Sequence, residues 1–310
     1  MEKQKKIRLK GHESFMLRDG WLHKGIVAVE KNPNIFSEYM GADALGVGSN
    51  MAKAIRYWMK VLGLTKEVAR KGTYLTELGN LILEQDSYFE DIFTIWLLHL
   101  QLLFHKEEAT AWQLFFNEIT AEEFRREELY RMMRQGMNLY SGEGTYSERS
   151  LEADCIVLLN MYARQREMDY DPEEKTISPF WGLGLLQTEQ RYYRKCQPNL
   201  EYLHPLIVMI AILMFYQETE KDWADNRKQQ GRFGISIDDL LRKGNSPGKT
   251  LNLSRTALNL YLDKLYAEEY LDVNRTAGLD MVYLKPEYLD FLQMAKEYYV
   301  GKETQRRLEL

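Results

Sequence analysis

The sequence predicts a mainly α-helical protein with a winged helix-turn-helix module near each end and a helical region between them. Three observations predict it. Apolar residues recur at helical spacing over most of the 310 residues. Near each end, helical segments lead through a glycine-containing turn into an amphipathic helix and then two short strand-like runs around a tight turn. Positive charge collects in those end segments, although the chain as a whole carries −5.

Residues 19–30 read as a first helix, with Trp21, Leu22, Ile26, Val27 and Val29 on an apolar face. Residues 34–39 read as a second short helix after the Asn32-Pro33 start signal. Gly46 and Gly48 then break the chain, and Ser49 is placed to cap a third helix over 50–62 through its hydroxyl. There Met51, Ala54, Ile55, Trp58 and Leu62 share one face and Lys53, Arg56 and Lys60 another, so Trp58 is expected inside and Lys60 outside. Residues 64–69, the Arg70-Lys71-Gly72 turn and residues 73–75 predict a hairpin, the wing, and helical spacing resumes over 75–84. Residues 91–105 and 109–116 predict buried helices, 121–135 an exposed helix laced with Glu–Arg pairs, and 151–165 a further helix.

The apolar run 206–215 is too short to cross a hydrocarbon layer of roughly 30 Å and predicts a buried helix. The earlier order then repeats. A helix over 235–242 leads through a turn at 244–248 to a helix capped by Ser254 and running to residue 267, with Leu258, Tyr261, Leu262 and Leu265 inward. Strands over 270–274 and 279–284 flank a turn, and a last helix covers 287–299. The expected division is an N-terminal winged-helix domain with added helices over 1–140, a helical connecting region over 141–194, and a C-terminal winged-helix domain over 195–310.

Composition narrows the function classes. Two cysteines, Cys155 and Cys196, are too few for a disulfide scaffold and suit reduced thiols. No apolar stretch follows the basic first ten residues as a secretory signal would, so a cytoplasmic protein without membrane association is expected. The net charge argues against a general nucleic-acid binder, but its distribution is uneven. Residues 1–10 hold five Lys/Arg against one Glu, residues 50–72 six against one Glu, and residues 242–264 five against one Asp. Such patches attract phosphate within an otherwise acidic surface.

Several motifs fail on inspection. His12-Glu13-Ser14-Phe15-Met16 has Met16 where a zinc-protease helix needs histidine. Gly46-Val47-Gly48-Ser49-Asn50-Met51 lacks the third glycine of a dinucleotide fingerprint and has no strand before it. The run Gly244 to Thr250 is one residue short of a phosphate-binding loop and follows a helix. Histidines and cysteines show no ligand-pair spacing, so no metal and no cofactor are expected.

The candidate DNA-binding set is Ser49, Asn50, Lys53, Arg56, Tyr57 and Lys60 on the helix with Lys66, Arg70 and Lys71 on the hairpin. The same face also suits a winged helix that binds protein. Lys249 and Arg255 form a sparser second set, where nearby Glu268, Glu269 and Asp272 favour a structural role. His12, Glu13 and Arg18 are a candidate polar site, either pinning the N-terminal segment or handling phosphate. Glu84, Asp86, Glu90 and Asp91 are the carboxylates a nuclease metal site would draw on, and they fit a solvated loop and helix start as well. No catalytic residue is assigned.

Longer blocks carry a family resemblance. Gly11-His12-Glu13-Ser14-Phe15, Arg18 and Gly20-Trp21-Leu22 with Lys24-Gly25 resemble the opening of a bacterial family called domain of unknown function 4007. Leu45-Gly46-Val47-Gly48, Asn50-Met51 and Ile55-Arg56-Tyr57-Trp58 resemble its second block. Trp96-Leu97-Leu98-His99, Ala109-Thr110-Ala111-Trp112 and Phe115-Phe116-Asn117 are similar to its third, and Ser178-Pro179-Phe180 with Leu183-Gly184-Leu185 to a later element. The resemblance implies company with genes resembling phosphoadenosine-phosphosulfate reductases, and so a link to DNA phosphorothioation and phage defence. It brings no catalytic residues. Three functions stay open: a DNA-binding accessory protein of such a system, a DNA nicking endonuclease of it using magnesium or manganese, and a winged-helix adaptor. The implied partners are DNA and other proteins of the cassette, and the sequence is compatible with a homo-oligomer.

The broken motifs predict that purified protein carries no structural zinc, haem or nucleotide. Stoichiometric zinc by elemental analysis would overturn this.

Overall fold

The computed structural model describes residues 6–37, 41–142, 144–165, 177–219, 233–276, 279–288 and 290–308. It is mainly helical with three small sheets among the described residues. The chain divides into two compact units, Met1–Cys196 and Gln197–Leu310.

In the first unit, α1 (Trp21–Lys31) buries Trp21, Leu22, Ile26 and Val29. After α2 (Ala42–Leu45), α3 (Ser49–Val61) turns Ile55 and Trp58 fully inward. The two longer helices approach closely because Gly25 has no side chain: a Cβ there would lie 2.2 Å from the Met59 sulfur. Trp58 donates its ring N–H to the Phe15 carbonyl oxygen at 3.1 Å. The hairpin of β1 (Thr65–Val68) and β2 (Gly72–Leu75) pairs Thr65 with Leu75 and Lys66 with Tyr74. Thr76 then caps α4 (Glu77–Gln85), accepting from the Gly79 N–H. The apolar helix α5 (Ile92–Phe104) is buried from Phe93 to Leu103, and α6 (Thr110–Glu118) is buried over most of its length.

Three expectations in this unit need correction. Residues 34–37 form turns instead of a helix, because the Asn32 side chain takes the Asn34 N–H; residues 38–40 lie outside the described residues. Ser49 is the first residue of α3 and not its cap, which is Gly48 with no side-chain bond. The expected helix over 121–135 opens instead as a strand, β3 (Glu123–Arg125), before α7 (Arg126–Ser141). Phe124 is the reason: it points inward, 5.9 Å from Phe115, while its neighbours face water.

Residues 141–194, expected as a connecting region, lie within this first unit. They supply α8 (Glu148–Tyr162), β4 (Ala163–Gln165), a 3-10 turn at Pro179–Leu183, β5 (Leu186–Glu189) and β6 (Tyr192–Lys195). The sheet order is β3-β6-β5-β4, with β4 parallel to β5 and the other pairs antiparallel.

In the second unit, α9 (Pro205–Thr219) is buried from Leu206 to Tyr216 as its composition demands. No helix of the described residues is long and apolar enough to cross a membrane. A strand not foreseen, β7 (Phe233–Ser236), precedes α10 (Ile237–Arg242), α11 (Pro247–Thr250) and α12 (Arg255–Ala267). Ser254 caps α12 by accepting from the Ala257 N–H, and Leu258, Tyr261, Leu262 and Leu265 are buried. The strands β8 (Leu271–Thr276) and β9 (Leu279–Leu284) complete a sheet of order β7-β9-β8. The last helix, α13, covers Phe291–Leu308, later than expected. A 3-10 turn occupies Pro286–Tyr288, and Asp290 accepts the Leu292 N–H at the new start.

Trp58 has no exposed surface. Trp58→Ala is expected to cost roughly 3–5 kcal/mol, read from urea midpoints. An unchanged midpoint would contradict the burial of Trp58 against His12 and Trp112.

Candidate nucleic-acid interface

The basic face of α3 is partly spent inside the protein. Arg56 places Nη2 2.7 Å from Glu67 of β1, with its guanidinium 5.6 Å over the Phe36 ring. Lys60 binds Glu108 at 3.2 Å and is only about a third exposed, so it is not the open residue that helical spacing suggested. Tyr57 is buried and donates its hydroxyl to the Glu108 carbonyl oxygen at 2.8 Å, which makes it a core residue. Burial holds its phenol well above the ordinary range.

The rest of the set faces water more freely. Ser49 and Asn50 are exposed, and Lys53 donates to Asn50 Oδ1 at 3.3 Å. Lys66, Arg70 and Lys71 are exposed on the hairpin and meet no carboxylate among the described residues. Arg70 sits at the tip with φ +62°, the left-handed conformation that turns the chain.

Sequence reasoning missed one residue beside this face. Glu108 receives Lys6 at 3.1 Å and Arg8 at 2.6 Å in addition to Lys60. Burial of its carboxyl opposes ionisation, yet the hydrogen bonds from Lys6 and Lys60 and the field of Arg8 outweigh it, bringing the group down to about 2. The basic first ten residues were visible in the sequence, but their partner about a hundred positions away was not.

His12, Glu13 and Arg18 do not assemble into one site. The His12 ring is fully buried, stacked on Trp58 at 5.7 Å and edge-on to Trp112 at 5.5 Å. Its Nδ1 accepts from the Ser14 N–H at 3.1 Å, so that nitrogen carries no proton and Nε2–H donates to Asp154 Oδ1 at 2.9 Å. Asp154 also accepts the Lys10 N–H at 2.8 Å. Burial raises the Asp154 carboxyl, and these two donors oppose the rise. Glu13 is exposed, and Arg18 lies 5.7 Å over Phe15 and 5.2 Å over Trp21. His12 therefore pins the N-terminal segment.

Two of the carboxylates at 84–91, Asp86 and Asp91, are engaged in local structure. Asp86 accepts the Glu90 and Asp91 N–H groups and the Thr94 hydroxyl, and Asp91 caps α5. Among the described residues no group of three or more His, Cys, Asp or Glu is arranged to hold a metal. In the second unit Arg255 pairs with Asp238 and Lys249 is half-buried.

The Glu108 carboxyl sets a pH dependence. Its folded-state value lies below the ordinary 4.5, so its contribution to stability is whole above about pH 4.5 and is lost as pH falls toward about 2. The parent protein should therefore exceed Glu108→Gln in urea midpoint at neutral pH, with the gap closing through that window. A gap independent of pH would refute the ion cluster.

The profile of the family described as protein of unknown function (DUF4007) matches residues 9–299. No curated protein matches the chain. Among solved structures, it is similar to magnesium ion-bound SspB with 25% identity and a TM-score of 0.79, over 94% of this chain and 87% of that one. It is also similar to another SspB crystal structure with 24% identity and a TM-score of 0.80, over 96% of this chain and 89% of that one. The second likeness is one of fold alone. With nearly its whole length matched, the chain belongs to the DUF4007 family.

Proposed function

We propose that the chain is a DNA-binding accessory protein of a DNA modification or phage-defence system of the phosphorothioation type. In this reading α1 to α3 with the β1–β2 hairpin act as one winged helix, and β7 to β9 with α10 to α12 as another. The observation that carries the DNA-binding role is the hairpin. Lys66, Arg70 and Lys71 stand exposed and without a carboxylate partner among the described residues, on a chain whose net charge is −5. Arg56 and Lys60 are tied to carboxylates, so the hairpin carries more of the phosphate contact than the helix. The cassette association rests on the family resemblance.

The second module suits protein contact better. Asp238 neutralises Arg255, Asp263 pairs with Arg275, and Leu260 and Tyr266 of α12 are exposed. Other proteins of the cassette are its proposed partners. A nicking activity is the second reading, because one of the similar structures is of magnesium ion-bound SspB. Magnesium is commonly held by one or two carboxylates with water completing its shell, and no described group of three ligands marks where that would occur here.

Salt-dependent binding to duplex DNA tests the proposal. For every phosphate that a variant leaves unneutralised, the slope of log affinity against log salt should fall by ~0.9, so Lys66→Gln, Arg70→Gln and Lys71→Gln together should flatten it by about 2–3. Stability should shift by no more than ~0.5 kcal/mol per site. An unaltered slope in the folded triple variant would exclude the hairpin. Plasmid relaxation that requires magnesium and stops with chelator would replace the accessory role by nicking.

A further inference from the structure

Three cationic head groups converge on one carboxylate beside α3. Lys6 Nζ, Arg8 Nη1 and Lys60 Nζ lie 3.1, 2.6 and 3.2 Å from Glu108. The charges do not cancel: three positive groups face one negative group, and the adjacent Lys106 and Glu107 offset each other. Nor is the donor capacity used up. Each head group gives one N–H to Glu108, and its remaining N–H groups meet no other acceptor among the described residues. The carboxylate lies beneath at 15% exposure, while the side chains of Lys6, Arg8 and Lys60 are 60%, 42% and 35% exposed. An anion arriving from solvent meets the cations first.

The arrangement is held in place from below. Arg8 lies 5.5 Å over the ring of Tyr57, and Tyr57 is itself bonded to the Glu108 carbonyl oxygen. The Arg8 N–H donates to the Thr110 hydroxyl at 3.3 Å. The head groups are therefore gathered before any ligand arrives, which lowers the ordering cost of binding one.

We propose that Lys6, Arg8 and Lys60 form a phosphate-binding site, and that Glu108 is a built-in stand-in which holds the three head groups together for a phosphate of the nucleic-acid backbone. This deepens the DNA-binding reading and rests on it for the source of the phosphate; a free pyrophosphate presents the same oxygens. The depressed Glu108 carboxyl is consistent with the positive field there.

Charge arithmetic gives the test its sign. Glu108→Gln keeps an oxygen acceptor for the head groups and removes one negative charge, so the site gains a unit of net positive charge. A Glu108 that served only as a tether would, when replaced, loosen the cations and weaken binding. Full-length parent, Glu108→Gln and the Lys6→Gln/Arg8→Gln double variant are titrated with fluorescent duplex DNA over a salt series. The expected slope of log affinity against log salt is steeper by about 1 for Glu108→Gln and shallower by about 2 for the double variant. Weaker DNA binding by folded Glu108→Gln, or an unchanged slope for the double variant, overturns the backbone-phosphate site. The double variant changes exposed residues and keeps the test open if Glu108→Gln fails to fold. Inorganic pyrophosphate is the second probe. If the parent shows no salt-sensitive DNA binding, the DNA-binding reading falls. The site then stands as one for free phosphate compounds if pyrophosphate raises the melting temperature of the parent and not of the double variant, and it falls if neither responds.

Discussion

A single buried hydrogen bond, from the His12 imidazole to the Asp154 carboxylate at 2.9 Å, organises the first unit. A buried carboxylate is costly unless its oxygens are satisfied, and Asp154 obtains two donors from one short segment, the ring of His12 and the N–H of Lys10. The tautomer is fixed by Ser14, which donates to the other ring nitrogen. The imidazole face then lies on Trp58 of α3 and its edge meets Trp112 of α6. One histidine thus ties a loop to three helices. Gly11, just before it, permits the close approach, since a Cβ there would lie 2.3 Å from the Tyr57 ring.

The charged surface depends on that clamp. With residues 10–12 fixed, Arg8 and Lys6 are led past Tyr57 to Glu108. The candidate cations thereby differ in setting: Lys6, Arg8, Arg56 and Lys60 are gathered on carboxylates, and Lys66, Arg70 and Lys71 of the hairpin are exposed. The head groups of Lys6 and Arg8 are themselves largely exposed, where water and salt weaken Coulomb attraction.

Much of the helical layout was legible, because a face of Trp58, Ile55 and Ala54 or a wholly apolar run such as 206–215 leaves few alternatives. The capped start of α12 at Ser254 was legible for the same local reason. The short strands were not. β3, β6 and β7 have three or four residues each, too few for an alternation to stand out, and their identity comes from partners elsewhere: Glu123 opposite Arg194, Phe233 opposite Leu284. At the candidate interface the residue types were read correctly and their environments were not. Helical spacing places Arg56, Tyr57 and Lys60 on or near one surface, but whether each faces water is decided by Glu67 and Glu108, which local pattern cannot supply. His12 was equally opaque, since its partner lies 142 positions away.

That separation has a consequence for how the chain is made. Residues 6–12 cannot complete their contacts when they leave the ribosome. Lys6 and Arg8 must wait for Glu108, about a hundred residues later, and Lys10 and His12 for Asp154. Contacts of such sequence separation close late and slowly, because the loop entropy is spent before they form. During synthesis Lys10 and His12 therefore stay without their carboxylate partner until Asp154 of α8 has been made. A truncation ending before residue 154 would leave the beginning of the chain unfastened, so the stability of the first helices is settled by a segment translated long after them.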